Sequence, residues 1–135
     1  MTWVEAQALI CPIREAVFIE EQQVPVELEW DGLDEHCTHL LALSGDAALA
    51  TARMTTDGKI GRMAVLKAWR GRGIGSQLMT VVIAAARDAQ LARVELDAQL
   101  TAIPFYQRFG FEVTSVAFMD AGIAHQKMAL SLQTV

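Results

Sequence analysis

The stretch "RMAVLKAWRGRGIGSQLM", Arg62 to Met79, decides how this chain reads. It passes from a strand-like run into "RGRGIG", where three glycines and two arginines share seven positions from Arg70 to Ser76, and then into a helical apolar periodicity. A helix N-terminus presents unpaired backbone N–H groups and partial positive charge, and glycines let the backbone turn tightly and come close to a ligand. One or two glycines suffice for a plain strand-to-helix turn. Alternate glycines at Gly71, Gly73 and Gly75, with Arg70 and Arg72 beside them and Ile74 and Ser76 completing the run, predict several amides converging on a phosphate or pyrophosphate.

Spacing narrows the guest. No glycine is followed by Lys and then Ser or Thr, so the loop that cradles nucleoside triphosphates in P-loop proteins is missing. A dinucleotide fingerprint needs a third glycine at Ser76 or at Leu78, depending on the starting glycine, and neither position supplies it.

Working outward, Glu5 to about Gln22 has apolar residues near helical spacing, with Pro12 marking a first turn or a kink. "VPVELEWDGLDEHC" reads as an acidic loop broken by Pro25 and Gly32. Strands are expected at "THLLAL", "AALATARMT" and "IGRMAVL", the last two joined by the hairpin signal "TDGK". Ile74, Leu78, Val81, Val82, Ala85 and Ala89 predict one apolar helical face between about Gly73 and Gln90. "ARVELDA" reads as a buried strand, "TAIPFYQRF" as a short helix closed by Gly110, and "FEVTSVAFM" with "AHQKMALSL" as a closing hairpin around "DAG". The alternation predicts a mixed α/β sheet.

At 135 residues and 53% hydrophobic, with no repeat or linker, the chain is expected to form a single domain over residues 1–135. Its apolar runs fall short of the roughly 20 residues a membrane-spanning helix needs, and the N-terminus lacks the basic start of an export signal; a cytoplasmic protein without membrane partners is expected. Cys11 and Cys37 form neither a disulfide framework nor a metal-ligand spacing, so they read as structural thiols and no metal is expected.

The formal charge of −5 argues against nucleic acid as a partner, yet charge is segregated along the chain. Glu20 to Glu35 holds seven carboxylates and no Lys or Arg, while Arg53 to Arg72 holds six basic residues against Asp57 alone. Such polarity suits an anionic ligand at one place and a cationic one at another.

"MAVLKAWRGRGIGSQLM" resembles the acyl-CoA binding motif of the GNAT N-acetyltransferase superfamily: Gln or Arg, two residues, Gly, one residue, Gly or Ala, filled here by Arg70, Gly73 and Gly75. "AQLTAIPFYQRFGFE" is similar to that superfamily's second signature through Gln99, Ala102, Tyr106, Gly110 and Phe111, with Gln99 standing where Asn is commoner. "REAVFIEEQQVP", "EWDGLDEHCTH" and "DAGIAHQKM" resemble the ElaA-like branch, which extends the likeness over nearly the whole chain. The resemblance implies a GNAT fold: a mixed, mostly antiparallel sheet splayed at the acyl-CoA site and flanked by helices. It also implies acetyl-CoA as cosubstrate, bound by the amides after the strand and by Met63, Ala64 and Val65 along the pantetheine arm.

Acetyl transfer to an amine needs a neutral amine, a polarised carbonyl and a proton for the departing thiolate. Amines titrate at about 10 and thiols at about 8.5, so the protein must manage both protons. Tyr106, the chain's one tyrosine, stands at the position that protonates the thiolate in the resembled superfamily. The backbone N–H of Met63 is the expected donor to the thioester carbonyl. Several relatives carry a His or Glu base on the strand before the motif, but Lys59 and Gly61 occupy those places here. Base candidates are therefore Glu21 and His125, with Asp31, Asp34 and His39 on the acceptor side, where the carboxylates would draw in a cationic small-molecule or peptide amine. An acyl-CoA binding or sensing module with little transfer is the alternative. The apolar C-terminal strands and the resemblance are compatible with a homodimer.

Overall fold

Residues 3–132 are described by a computed structural model. Helix α1 runs Trp3–Arg14 straight through Pro12, and Glu15–Glu21 then continues as a π-helical segment. The helix expected as far as Gln22 thus changes winding after Arg14. The acidic segment is more ordered than a loop: α2 spans Val26–Glu29 and a 3-10 turn covers Asp34–His36. Strands β1 (Thr38–Ser44), β2 (Ala47–Met54) and β3 (Lys59–Val65) follow as expected, then α3 (Ile74–Asp88) and β4 (Arg93–Gln99). A 3-10 turn at Leu100–Ala102 leads into α4 (Ile103–Gln107). The strand expected over "FEVTSVAFM" is split into β5 (Glu112–Val113) and β6 (Phe118–Asp120), and both pair with β7 (Ile123–Ser131).

The sheet order is β1-β2-β3-β4-β7-β5, with β6 also on β7. Every pairing is antiparallel except β3 with β4, which run parallel and pair only at Lys59↔Glu95 and Ile60↔Leu96. Beyond those two positions the strands part. A parallel pair normally closes against a crossover helix, and α3 is that crossover; the divergence leaves the C-terminal ends of β3 and β4 open to a ligand.

A bulge sharpens the opening. Between Thr51↔Ala64 and Arg53↔Gly61, Ala52 faces both Arg62 and Met63, and Arg62 takes φ +49. The extra residue breaks the ladder beside Met63 and re-aims the strand there.

Two apolar clusters hold the sheet, and neighbouring residues such as Leu40 and Leu41 serve one each because strand side chains alternate between faces. The larger joins Met79 and Val82 of α3 to Val94, Phe111 and Met128. The smaller packs Ile13 and Val17 on Ala64. The buried face of α3 is Leu78, Met79, Val82 and Ala86; Val81 and Ala89, expected inward, point out, one helical position away from the true stripe. Among the described residues no helix is long and apolar enough to cross a membrane, and no group of His, Cys, Asp or Glu could hold a metal ion.

Candidate active site

At the start of α3 the backbone forms a cradle of about 380 Å3, lined by Val65, Gly71, Gly73, Ile74, Gly75 and Ser76 with Arg70, Phe105 and Arg108 around it. Gly71 and Gly73 take φ +78 and +79, the left-handed region where a Cβ is strained. An added Cβ at either would meet nothing within 4 Å, so the space over the loop is open. The Gly73 carbonyl accepts the first intrahelical hydrogen bond from Gln77 N–H at 3.1 Å, which leaves the amides of the first turn of α3 without helical acceptors. These features fit an anionic group such as a pyrophosphate.

The arginines divide their work. Arg70 donates Nε to Val65 O at 3.0 Å and two bonds to the carboxylate of Glu21 at 2.6 and 2.8 Å. Its guanidinium therefore ties the cradle to the end of the π-helical segment. Arg72 lies over Trp69, 4.8 Å from the ring centroid. Arg108, which sequence reading did not single out, lines the cradle from just past α4; its place two residues after Tyr106 in "FYQRFGF" is the signal that was available.

Beyond the cradle lies a cleft of about 510 Å3 between the parted strands, lined by Met63, Gln99, Tyr106, His125 and Asp31 among others. Met63 faces this cleft and Val65 the cradle, while Ala64 between them turns into the smaller core. Tyr106 packs edge-on against Phe105 and Phe111, and burial pushes its phenol above the usual range. Gln99 donates its side-chain N–H to Gln22 Oε1 at 3.0 Å, a link from β4 to the end of the π-helical segment. His125 donates Nδ1–H to Ile123 O at 2.7 Å and stacks on Phe118. Because a carbonyl can only accept, the neutral ring keeps its lone pair on Nε2.

Other sequence-predicted residues lie elsewhere. Glu21 is engaged by Arg70, whose hydrogen bonds hold its carboxyl below the usual range, so it belongs to the cradle and does not line the cleft. His39 also stays out of the cleft: it donates Nε2–H to Asp34 O at 2.8 Å and packs on Trp3. Asp34 is buried and accepts from Arg14 at 2.6 Å and Arg53 at 3.0 Å. Asp31 lines the cleft but is gripped through both oxygens by Arg53, whose hydrogen bonds hold its carboxyl well below the usual carboxylate range.

Two carboxylates of the acidic segment, Glu29 and Asp34, are thus buried. Glu29, 2% exposed, accepts from Arg14 at 2.5 Å, and Arg62 donates to Asp31 and to the carbonyls of Leu28 and Glu29. Burial pushes Glu29 up against the pull of Arg14. Arg62 Nε sits 3.3 Å from Glu29 Oε1 without hydrogen-bond geometry. Three arginines from α1, β2 and β3 balance three carboxylates, an arrangement composition alone did not reveal. Burial raises both cysteine thiols, which favours the protonated form.

A mixed sheet that parts beside a glycine-rich helix start, with a partly buried tyrosine at the junction, is the architecture of an acyl-CoA-dependent acyltransferase. The family model described as an acetyltransferase (GNAT) domain matches residues 6–132, and the chain belongs to that family. The uncharacterized N-acetyltransferase YjcF of Bacillus subtilis is 38% identical over 120 residues, 86% of each chain. The crystal structure of Escherichia coli ElaA superimposes with a TM-score of 0.85 at 31% identity, covering 93% of this chain and 90% of that one, and the likeness sets the chain in the ElaA-like branch. An acyl-CoA N-acyltransferase from Pseudomonas aeruginosa gives the same TM-score of 0.85 at 31% identity, again over 93% of this chain and 90% of that one.

Proposed function

We propose that the protein is an acetyl-CoA-dependent N-acetyltransferase that moves an acetyl group to the primary amine of a small molecule or peptide by direct attack within a ternary complex. The observation that carries this reading is the two-residue β3–β4 pairing: the strands part, with the glycine cradle beside Val65 of β3 and the cleft lined by Met63 of the same strand, Tyr106 and His125. The cradle amides would take the pyrophosphate, and β3 from Met63 to Val65 would lie along the pantetheine arm. Acetyl-CoA would supply the activated thioester.

In this scheme His125 Nε2 accepts the proton of the incoming ammonium, directly or through a water, and frees the nitrogen lone pair. That lone pair forms the new C–N bond as the C–S bond breaks, and the second proton of the attacking nitrogen passes to the Tyr106 phenolate left once the thiolate has been protonated, which restores the phenol. The Met63 N–H, beside the bulge, donates to the carbonyl oxygen while negative charge builds on it. Tyr106 gives its proton to the departing thiolate; its raised phenol pKa keeps that proton in place at neutral pH.

A binding or sensing module is the second reading, and the engagement of Gln99 by Gln22 favours it. The test is thermal shift with acetyl-CoA, ATP and NAD, followed by thiol release from acetyl-CoA against a panel of amines. The proposal predicts stabilisation by acetyl-CoA and thiol release that falls about 100-fold or more in Tyr106→Phe. Stabilisation by ATP or NAD in its place would overturn the acyl-CoA reading, and stabilisation without turnover would leave the sensing module.

A further inference from the structure

The cleft walls divide by chemistry. Apolar surface comes from Phe18, Val24, Leu28, Leu33 and Ile123, which belong to separate segments. Leu28 and Leu33 are 51% and 48% exposed at its rim, so two large aliphatic side chains stand in water where a ligand would pass. Such walls suit a ligand's apolar body.

The cations facing the cleft are already in use. Arg53 holds Asp31 and Asp34, Arg62 holds Asp31, and Lys59 reaches Asp97 at 2.9 Å. With Arg14 behind them, the three arginines are neutralised by Glu29, Asp31 and Asp34. An acceptor bearing a carboxylate or phosphate would lose water here without gaining a free cation, and an unpaired anion is costly to desolvate.

Asp120 differs. It lines the cleft, and among the described residues it forms no ion pair. The β6–β7 turn holds it in place: Ala121 and Gly122 take φ +52 and +78, a two-residue left-handed turn that sets Asp120 opposite Ile123. Two residues along β7, His125 pairs with Gln99 at the end of β4. Asp120 therefore stands roughly 7 Å outward of the base, at the cleft mouth.

Resting on the acyltransferase reading, we propose that the acceptor is an amine with an apolar body and no acidic group, and that Asp120 is the specificity-determining carboxylate that receives its ammonium at the cleft mouth. From Asp120 the ammonium passes inward to His125, which takes its proton, while the apolar body rests on Leu28, Leu33 and Phe18.

Matched acceptors that differ only by a carboxylate test this: phenethylamine against phenylalanine, and isoamylamine against leucine, each followed by thiol release from acetyl-CoA. The decarboxylated member of each pair should have a kcat/KM about tenfold or more higher. With phenethylamine as acceptor, Asp120→Asn should raise the amine KM about 2- to 5-fold, with Asp120→Glu restoring it and the KM for acetyl-CoA unchanged. Amino acids that react as well as their amines, Asp120→Asn with an unchanged amine KM, or acetyl-CoA binding with none of these amines acetylated would each overturn the proposal. If acetyl-CoA neither stabilises the protein nor releases thiol with any acceptor, the acyltransferase reading itself fails.

Discussion

Replacing Arg14 by Met removes the guanidinium that anchors the acidic segment while keeping an unbranched apolar stem. Arg14 is 1% exposed and donates to Glu29 Oε2 at 2.5 Å, to Asp34 Oδ1 at 2.6 Å and to Glu29 O at 3.0 Å. Its guanidinium also lies over the Trp30 ring, 4.7 Å from the centroid. Breaking a buried ion pair from one side costs about 3–5 kcal/mol, because the partner charge is stranded. Arg53 remains on Asp34 and Arg62 remains near Glu29, which sets the expectation at the low end, about 3 kcal/mol. With an unfolding entropy of about 2.1 cal/mol/K per residue over 135 residues, that loss lowers Tm by about 10 °C. Reversible thermal and urea unfolding would measure it. Adding Glu29→Gln to Arg14→Met leaves Arg53 and Arg62 against Asp31 and Asp34, two charges of each sign, and should recover more than half of the loss. A single variant within about 1 kcal/mol of wild type, or a double variant no better than the single one, would refute the idea that these carboxylates are held inward by charge.

Two further outcomes follow from the same contacts. Asp31 has a folded-state pKa depressed first by its hydrogen bonds to Arg53, so its contribution to stability is present above the unfolded value of about 4 and is lost as pH falls below it. Urea midpoints measured between neutral pH and the acid range should therefore fall less steeply in Asp31→Asn; identical pH slopes would count against the pairing. Glu21→Gln frees the guanidinium of Arg70 from a half-exposed pair, so stability should change by no more than about 1 kcal/mol while the KM for acetyl-CoA rises several-fold. An unchanged KM would mean that the link between the π-helical segment and the cradle has no part in donor binding.

Local signals carried much of the fold. "RGRGIG" marks the strand-to-helix passage because glycines accept the left-handed backbone at Gly71 and Gly73 without strain, and "TDGK" and "DAG" mark hairpin tips for the same reason. The helical period located α3 but misassigned Val81 and Ala89, since a stripe read without its partner surface is uncertain by about one position. The acidic segment was misjudged for a physical reason: seven carboxylates without a cation in sequence look solvated, but four of them, Glu21, Glu29, Asp31 and Asp34, have their partners Arg14, Arg53, Arg62 and Arg70 15 to 49 residues away. Long-range pairing of this kind leaves no local trace. It removed Asp34 and Glu21 from the cleft, while His39 is held away by the Asp34 carbonyl and Trp3; His125 and Asp120 line the cleft.

The central claim is that the cradle before α3 binds the donor through its pyrophosphate. Calorimetric titration of the protein with acetyl-CoA and, separately, with S-acetylpantetheine, which carries the same thioester arm without the pyrophosphate, tests it most directly. Saturable acetyl-CoA binding with affinity at least about 100-fold tighter than for the truncated donor is the result expected if several amides and a helix N-terminus hold the phosphates. Equal affinities for the two, or no binding of acetyl-CoA, would contradict it.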